Sequence, residues 1–167
     1  MDLLDRLLDH DHWATNQLLQ VCSSLPDPAL DREFDIGHRT LRGTFEHMIF
    51  NIEVWTGLML RQPPNEPSAK EPIAAIAERF ERAHERFAGA ARQVRDENRF
   101  DATFVDHFGG EMTFGGAIIH VVLHNAEHRS EILHILQRLG VSDLPEIDHG
   151  AWDFVRRGLW GTAEKDT

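Results

Sequence analysis

The chain has 167 residues, of which 41% are hydrophobic and 27% charged, and its 17 basic and 28 acidic side chains give a formal net charge of −11 at pH 7. This length suits one domain with a sizeable core, and we expect residues 1–167 to form it. The acidic excess argues against nucleic-acid binding and against anionic membrane surfaces, because both need clustered Lys and Arg. No apolar run approaches the roughly 18–20 residues that cross a bilayer.

The N-terminus and the cysteine usage predict the compartment. Residues 1–6 carry acidic groups where a secretory signal carries basic ones. The single cysteine, Cys22, has no partner for an intramolecular disulfide. We therefore expect a cytoplasmic protein in which Cys22 is a small buried residue rather than a nucleophile.

Helical periodicity dominates the first 60 residues. Apolar residues recur three and four apart from Leu3 onwards, until Pro26 ends the pattern. A polar loop containing Gly37 follows. Thr40 is then the predicted N-cap of a second helix with an apolar face.

A connector and a third helix come next. The segment 62–72 contains four prolines in eleven residues, which excludes a continuous helix. Pro72 suits the first position of a third helix. The apolar residues of that helix are separated by many Glu and Arg residues. This pattern is typical of a solvated face with ion pairs between successive turns.

The last third of the chain predicts a loop or small β-hairpin and then a fourth helix. Residues 103–108 alternate in polarity before Gly109-Gly110. Thr113 is the predicted N-cap of a helix that runs to about Leu139 and ends at Gly140. A short helix or packed tail follows. Four long helices joined through one long crossover indicate an all-α four-helix bundle.

Large aromatic residues outside these helical faces are expected to fill the core rather than to line a pocket. They are Trp55, Phe104, Phe108 and Trp152.

Eleven histidines in a chain without tyrosine are the most unusual feature of the composition. His120, His124 and His128 are spaced four apart on the fourth helix, so they form one stripe. Two imidazoles at this spacing can converge on one metal ion. In an ideal helix His124 and His128 fall within or beside the buried side, at about 40° and 80° from His120. We predict His124 and His128 as ligands, with His120 as an alternative ligand or a neighbour of the site.

A metal held by two histidines needs a third protein ligand, and catalytic zinc sites commonly have three. His47 on the second helix is the candidate, with Asn51 one turn further on. Glu131 lies on the ligand stripe one turn past His128. It could orient a ligand imidazole, act as a catalytic base, ligate the ion directly, or be a solvated residue without a role.

Several stretches of the chain resemble the DinB/YfiT group of bacterial four-helix bundles over nearly its whole length. They are His12-Trp13-Ala14-Thr15-Asn16, Ile36-Gly37 through Thr40-Leu41 to His47, Glu53 with Trp55, His120-Val121-Val122-Leu123-His124-Asn125-Ala126-Glu127-His128-Arg129, and Leu139-Gly140 with Pro145 and Asp148. In that group one histidine of the second helix and two of the fourth bind a divalent ion, usually zinc or nickel. By position these are similar to His47, His124 and His128, which implies one ion per chain.

The resemblance also implies a function. Relatives include metal-dependent transferases that join low-molecular-weight thiols to electrophiles, and many are homodimers. This chain departs from the common His-Arg-Gly-Gln run, since it has His128-Arg129-Ser130-Glu131. The departure places an additional acidic group near the expected metal and changes the surroundings of the thiol.

Three alternatives to a transferase follow from the same residues. One is a metal-dependent hydrolase, and a second is a bundle that binds metal without catalysing a reaction. The third is a di-metal carboxylate protein, because residues 81–84 and 131–134 both read Glu-x-x-His. That architecture also needs a glutamate from each of the other two helices, and residues 1–25 contain none. His134 also points away from the His124 stripe. Glu81 and His84 belong to the charged, solvated face predicted for the third helix.

Overall fold

The computed structural model describes residues 1–62 and 70–159, which contain six helices and one two-stranded sheet. The elements are α1 Leu3–Ser23, α2 Asp27–Leu30, α3 Leu41–Leu60, α4 Ile73–Asp96, β1 Thr103–Val105, β2 Glu111–Thr113, α5 Phe114–Arg138 and α6 His149–Arg156. The four long helices α1, α3, α4 and α5 confirm the predicted all-α bundle, and the antiparallel pair β1–β2 is the predicted hairpin. None of the described helices is long and apolar enough to span a membrane.

Helix termini lie close to where the sequence predicts them. The Thr40 hydroxyl accepts a hydrogen bond from Gly43 N at 2.9 Å, and the Thr113 hydroxyl accepts one from Gly116 N at 3.0 Å. Each bond satisfies a backbone donor that the first helical turn leaves free. At the other end of α5, Gly140 adopts a φ of +83°, a left-handed conformation that closes the helix.

Two local predictions need adjustment. Pro72 is the N-cap of α4 and not its first residue, because the helix begins at Ile73. The segment between the first two long helices also contains a short helix, α2, where the sequence predicts only a loop. Pro28 occupies the first turn of α2, where its missing N–H is not needed.

The four long helices form a ring in which α1 and α3 each pack against α4 and α5. α3 and α4 run parallel, because Glu53 pairs with Arg79 near one level while Gln62 contacts Arg86 further along both helices. The connection from Leu60 to Ile73 is therefore the long crossover that the sequence predicts. Residues 63–69 of that connector lie outside the described residues.

The core lies inside this ring, and its fully buried aromatic residues include Phe45, Phe80 and Phe87. Each such side chain contributes roughly 1.5–3 kcal/mol on removal from water. Trp55, Phe104 and Trp152 are buried as predicted. The prediction is wrong for Phe108, which is 83% exposed. Phe108 lies in the turn of the hairpin, between the two short strands, where none of the described helices packs over it.

The assignment of His84 to the solvated face of the third long helix is also wrong. His84 is only 6% exposed, and its Nε2 lies 3.1 Å from the carbonyl oxygen of Leu8 on α1. Burial lowers the pKa of His84. The charged residues on either side of His84 in the sequence suggest an exposed position, although its imidazole faces inward.

A buried polar network joins α1 to α5. The Asp11 carboxylate, which is fully buried, accepts hydrogen bonds from Arg129 and from Asn125, the latter at 2.9 Å. Arg129 also donates to the Thr15 hydroxyl at 3.2 Å. A buried ion pair tolerates desolvation only while both charges keep their partners.

Replacement of one partner tests this network. Asp11→Asn conserves side-chain volume but leaves the Arg129 charge uncompensated, so we expect the free energy of unfolding to fall by about 3–5 kcal/mol. Chemical denaturation monitored by circular dichroism measures the change. The control, Glu78→Gln, removes one charge of an exposed pair with Arg82 and should leave stability unchanged. Equal stability of Asp11→Asn and the wild type would show that the network contributes nothing.

Candidate metal centre

The three predicted ligands lie together at the interface between α3 and α5. His124 Nε2 is 3.0 Å from His47 Nε2 and 3.2 Å from His128 Nε2. Tetrahedral zinc with Zn–N bonds near 2.0–2.1 Å places its nitrogen ligands about 3.3–3.4 Å apart. These two nitrogen–nitrogen distances are therefore close to those between the ligands of a metal site.

The electrostatics of the cluster favour uncharged imidazoles. Burial, followed by repulsion from neighbouring histidines, lowers the pKa of His47 to about 4 and that of His124 to about 3. Both rings are therefore neutral at physiological pH, and a neutral imidazole retains the lone pair that a metal ligand needs. The structure thus keeps these nitrogens available to a cation.

Glu131 supports one of the three rings. Its Oε2 lies 2.7 Å from His128 Nδ1, one turn away on α5. Because an ionised carboxylate only accepts, Nδ1 of His128 donates, and in the neutral ring this leaves the lone pair at Nε2. The contact corresponds to the orienting role considered for Glu131, while its role as a catalytic base stays a prediction. By contrast, Nδ1 of His124 is buried and has no hydrogen-bond partner among the described residues.

His38, in the loop before α3, joins the cluster although the sequence did not indicate it. Its ring stacks on that of His47 with centroids 3.7 Å apart, and the ring of His128 lies 5.3 Å away. Ligand atoms of His38, His47 and His128 all lie within 4.8 Å of one another. The loop has no helical periodicity from which the position of His38 could be predicted. The available indication in the sequence is the adjacent Gly37, which belongs to a stretch that resembles the family.

The same interface continues beyond His47 in a second group of polar and aromatic residues. Trp55 Nε1 donates to Asn51 Oδ1 at 3.0 Å, while Asn51 Nδ2 is buried and finds no partner in residues 1–62 and 70–159. The Trp55 ring lies 5.0 Å from His120 and 5.6 Å from His107. His120 is thus a neighbour of the His124 ring, 5.5 Å away, and packs against Trp55 rather than joining the three Nε2 atoms.

The di-metal alternative finds no support in the arrangement of its residues. Glu81 contacts His12 and Asn16 of α1 at 2.8 and 2.7 Å, His84 faces Leu8, and His134 is exposed. Within residues 1–62 and 70–159, no group of potential ligand atoms unites the two Glu-x-x-His motifs.

Comparison with known proteins assigns the chain to a family. The family model for DinB matches residues 1–151. The chain belongs to the DinB family. Its fold is similar to the crystal structure of a DinB-like protein from Bacillus cereus, with a TM-score of 0.65 and 21% identity over 83% of this chain and 91% of that chain. The match confirms the DinB-like bundle. A search of curated proteins gave no match.

The surroundings of Cys22 in this DinB protein generate a prediction about its chemistry. Cys22 is fully buried, and burial raises the pKa of its thiol to about 12. Because the thiolate is the nucleophile, we expect a disulfide reagent at pH 8 not to label the folded protein. The same reagent should label one thiol per chain after unfolding in guanidinium. Rapid labelling of the folded protein would contradict both the burial and the raised pKa.

Proposed function

We propose that this protein binds one divalent ion per chain, zinc or nickel, through His47, His124 and His128, and that it is a metal-dependent transferase joining a low-molecular-weight thiol to an electrophile. The observation that carries the proposal is the approach of three Nε2 atoms. His124 Nε2 lies 3.0 Å from His47 Nε2 and 3.2 Å from His128 Nε2. Membership of the DinB family supports the bundle and is consistent with the site. Homodimer formation, implied by the resemblance, stays a prediction.

The donor set fits a metal ion better than a set of mutual hydrogen bonds. His124 Nε2 has two imidazole nitrogens as neighbours, but a single ring nitrogen offers only one N–H or one lone pair. With the His128 proton held at Nδ1 by Glu131, the His128 Nε2 is an acceptor. Converging lone pairs of neutral nitrogens are the donors that zinc and nickel prefer.

The protein side chains have separable functions in this proposal. A bound divalent ion would favour the deprotonated form of a thiol or of water. The three neutral histidines hold the ion without cancelling its charge, and Glu131 orients His128 as a positioning residue. Asn51, whose Oδ1 is fixed by Trp55, keeps one buried donor one turn from His47 for a polar group of the substrate.

Elemental analysis tests the metal site directly. We expect about one zinc or nickel ion per chain after purification and dialysis. His124→Ala should weaken metal binding by more than about 100-fold, since loss of a mere supporting contact already costs 10–100-fold. His134→Ala, which alters an exposed histidine of the same helix, is the matched control. Unchanged binding by His124→Ala would refute the ligand assignment, and two ions per chain would favour the di-metal alternative.

A screen of physiological thiols with a chlorinated aromatic electrophile tests the transferase proposal. We expect the metal-loaded protein to form a thioether adduct and release chloride, and we expect His47→Ala to lose this activity while His134→Ala keeps it. Mass spectrometry identifies the adduct. A melting temperature that rises with metal, without an adduct from any thiol, would instead indicate the non-catalytic alternative. Products that incorporate water in place of the thiol would indicate a hydrolase.

A further inference from the structure

The loop before α3 has a defined conformation that presents His38 to the cluster. Gly37 and Arg39, on either side of His38, both adopt left-handed backbone conformations, with φ of +44° and +69°. Phe34 N donates to Arg39 O at 2.7 Å and Arg39 N donates to Ile36 O at 2.8 Å, which closes the loop on itself. A left-handed arginine is unfavourable for an L-residue, so the surrounding structure must stabilise this conformation.

Gly37 also allows the loop to touch the residue that orients His128. A Cβ at Gly37 would collide with the carboxylate of Glu131, so the close approach requires glycine. The carboxylate therefore lies between the loop and His128 Nδ1. The position of His38 is coupled through this contact to the ring of a predicted ligand.

The ring nitrogens of His38 are free to bind an ion. Among the described residues they make no hydrogen bond, although the ring stacks on His47 and one of its nitrogens lies within 4.8 Å of ligand atoms of His47 and His128. His38 is exposed, whereas the other three histidines of the cluster are half-buried. It is also the one member of the four that a loop carries, since His47 lies on α3 and the other two on α5.

We propose that His38 supplies a fourth nitrogen to the bound ion and gives up this position when a small-molecule thiol binds. The inference rests on the proposed metal site. Structural zinc sites have four protein ligands, whereas catalytic sites keep one position for water or substrate. A ligand on a loop can withdraw without moving either helix, so one chain can alternate between the closed and the open form.

Cobalt substitution tests the fourth ligand without recourse to activity. Tetrahedral cobalt absorbs visible light more strongly than cobalt of higher coordination, so its spectrum reports the ligand set. We expect His38→Phe, which keeps an aromatic ring against His47 but has no nitrogen, to lower the cobalt absorption and weaken zinc binding by about tenfold or more. His134→Ala is again the control. Added imidazole should restore the spectrum of a His38→Gly variant, which a packing role alone would not predict.

The outcomes separate this inference from the proposed function. If His38→Phe keeps the cobalt spectrum and the zinc affinity of the wild type, and both proteins bind metal tightly, the role of His38 as a ligand is overturned. The three-histidine site would then remain intact. Failure of the wild type itself to bind zinc, nickel or cobalt would overturn both. A thiol such as cysteine should change the cobalt spectrum of the wild type and weaken the effect of added imidazole on His38→Gly. No spectral change on thiol addition would contradict the exchange.

Discussion

Burial of uncharged imidazoles between α3 and α5 is the constraint on which the candidate site depends. Desolvation opposes protonation of His47 and His124, so the interface can hold these rings close together without accumulating positive charge. A cluster of charged histidines at the same spacing would repel itself and separate the helices. The partial burial of these rings therefore also keeps the nitrogen lone pairs available.

α5 contributes to two different interfaces by alternating between two faces. His124 and His128 face α3, while the next residue in each case, Asn125 or Arg129, faces α1 and holds Asp11. A one-residue step rotates a side chain by about 100° around the helix, so the stripe of candidate ligands and the buried polar network lie side by side. The network fixes the helix at the level of the candidate ligands, as a rigid metal-binding site requires.

Local signals are sufficient for the four long helices and for three of the four clustered histidines, but not for the short helix α2. Thr40 and Thr113 are predictable as N-caps because a hydroxyl before a helix can accept a hydrogen bond from a backbone N–H that the first turn leaves free. The four-residue spacing of His124 and His128 places two imidazoles on one face of any helix. His38 escaped prediction because its position depends on how a loop folds onto α3, and His84 because its burial depends on the neighbour α1. Both depend on contacts between residues far apart in sequence, which periodicity does not report.

The cluster of histidines has two unlike sides. On one side the loop of Gly37 and His38 lies against the rings and against Glu131. On the other side Asn51 has a buried donor that no described residue pairs with, beside Trp55, and the hairpin places His107 against the same tryptophan. The three predicted ligands lie on helices, while a loop carries His38 and the hairpin carries His107. Substitution in the hairpin can therefore alter the Trp55 side of the cluster without disturbing the three helical histidines, whereas a side chain at Gly37 would displace Glu131 from His128.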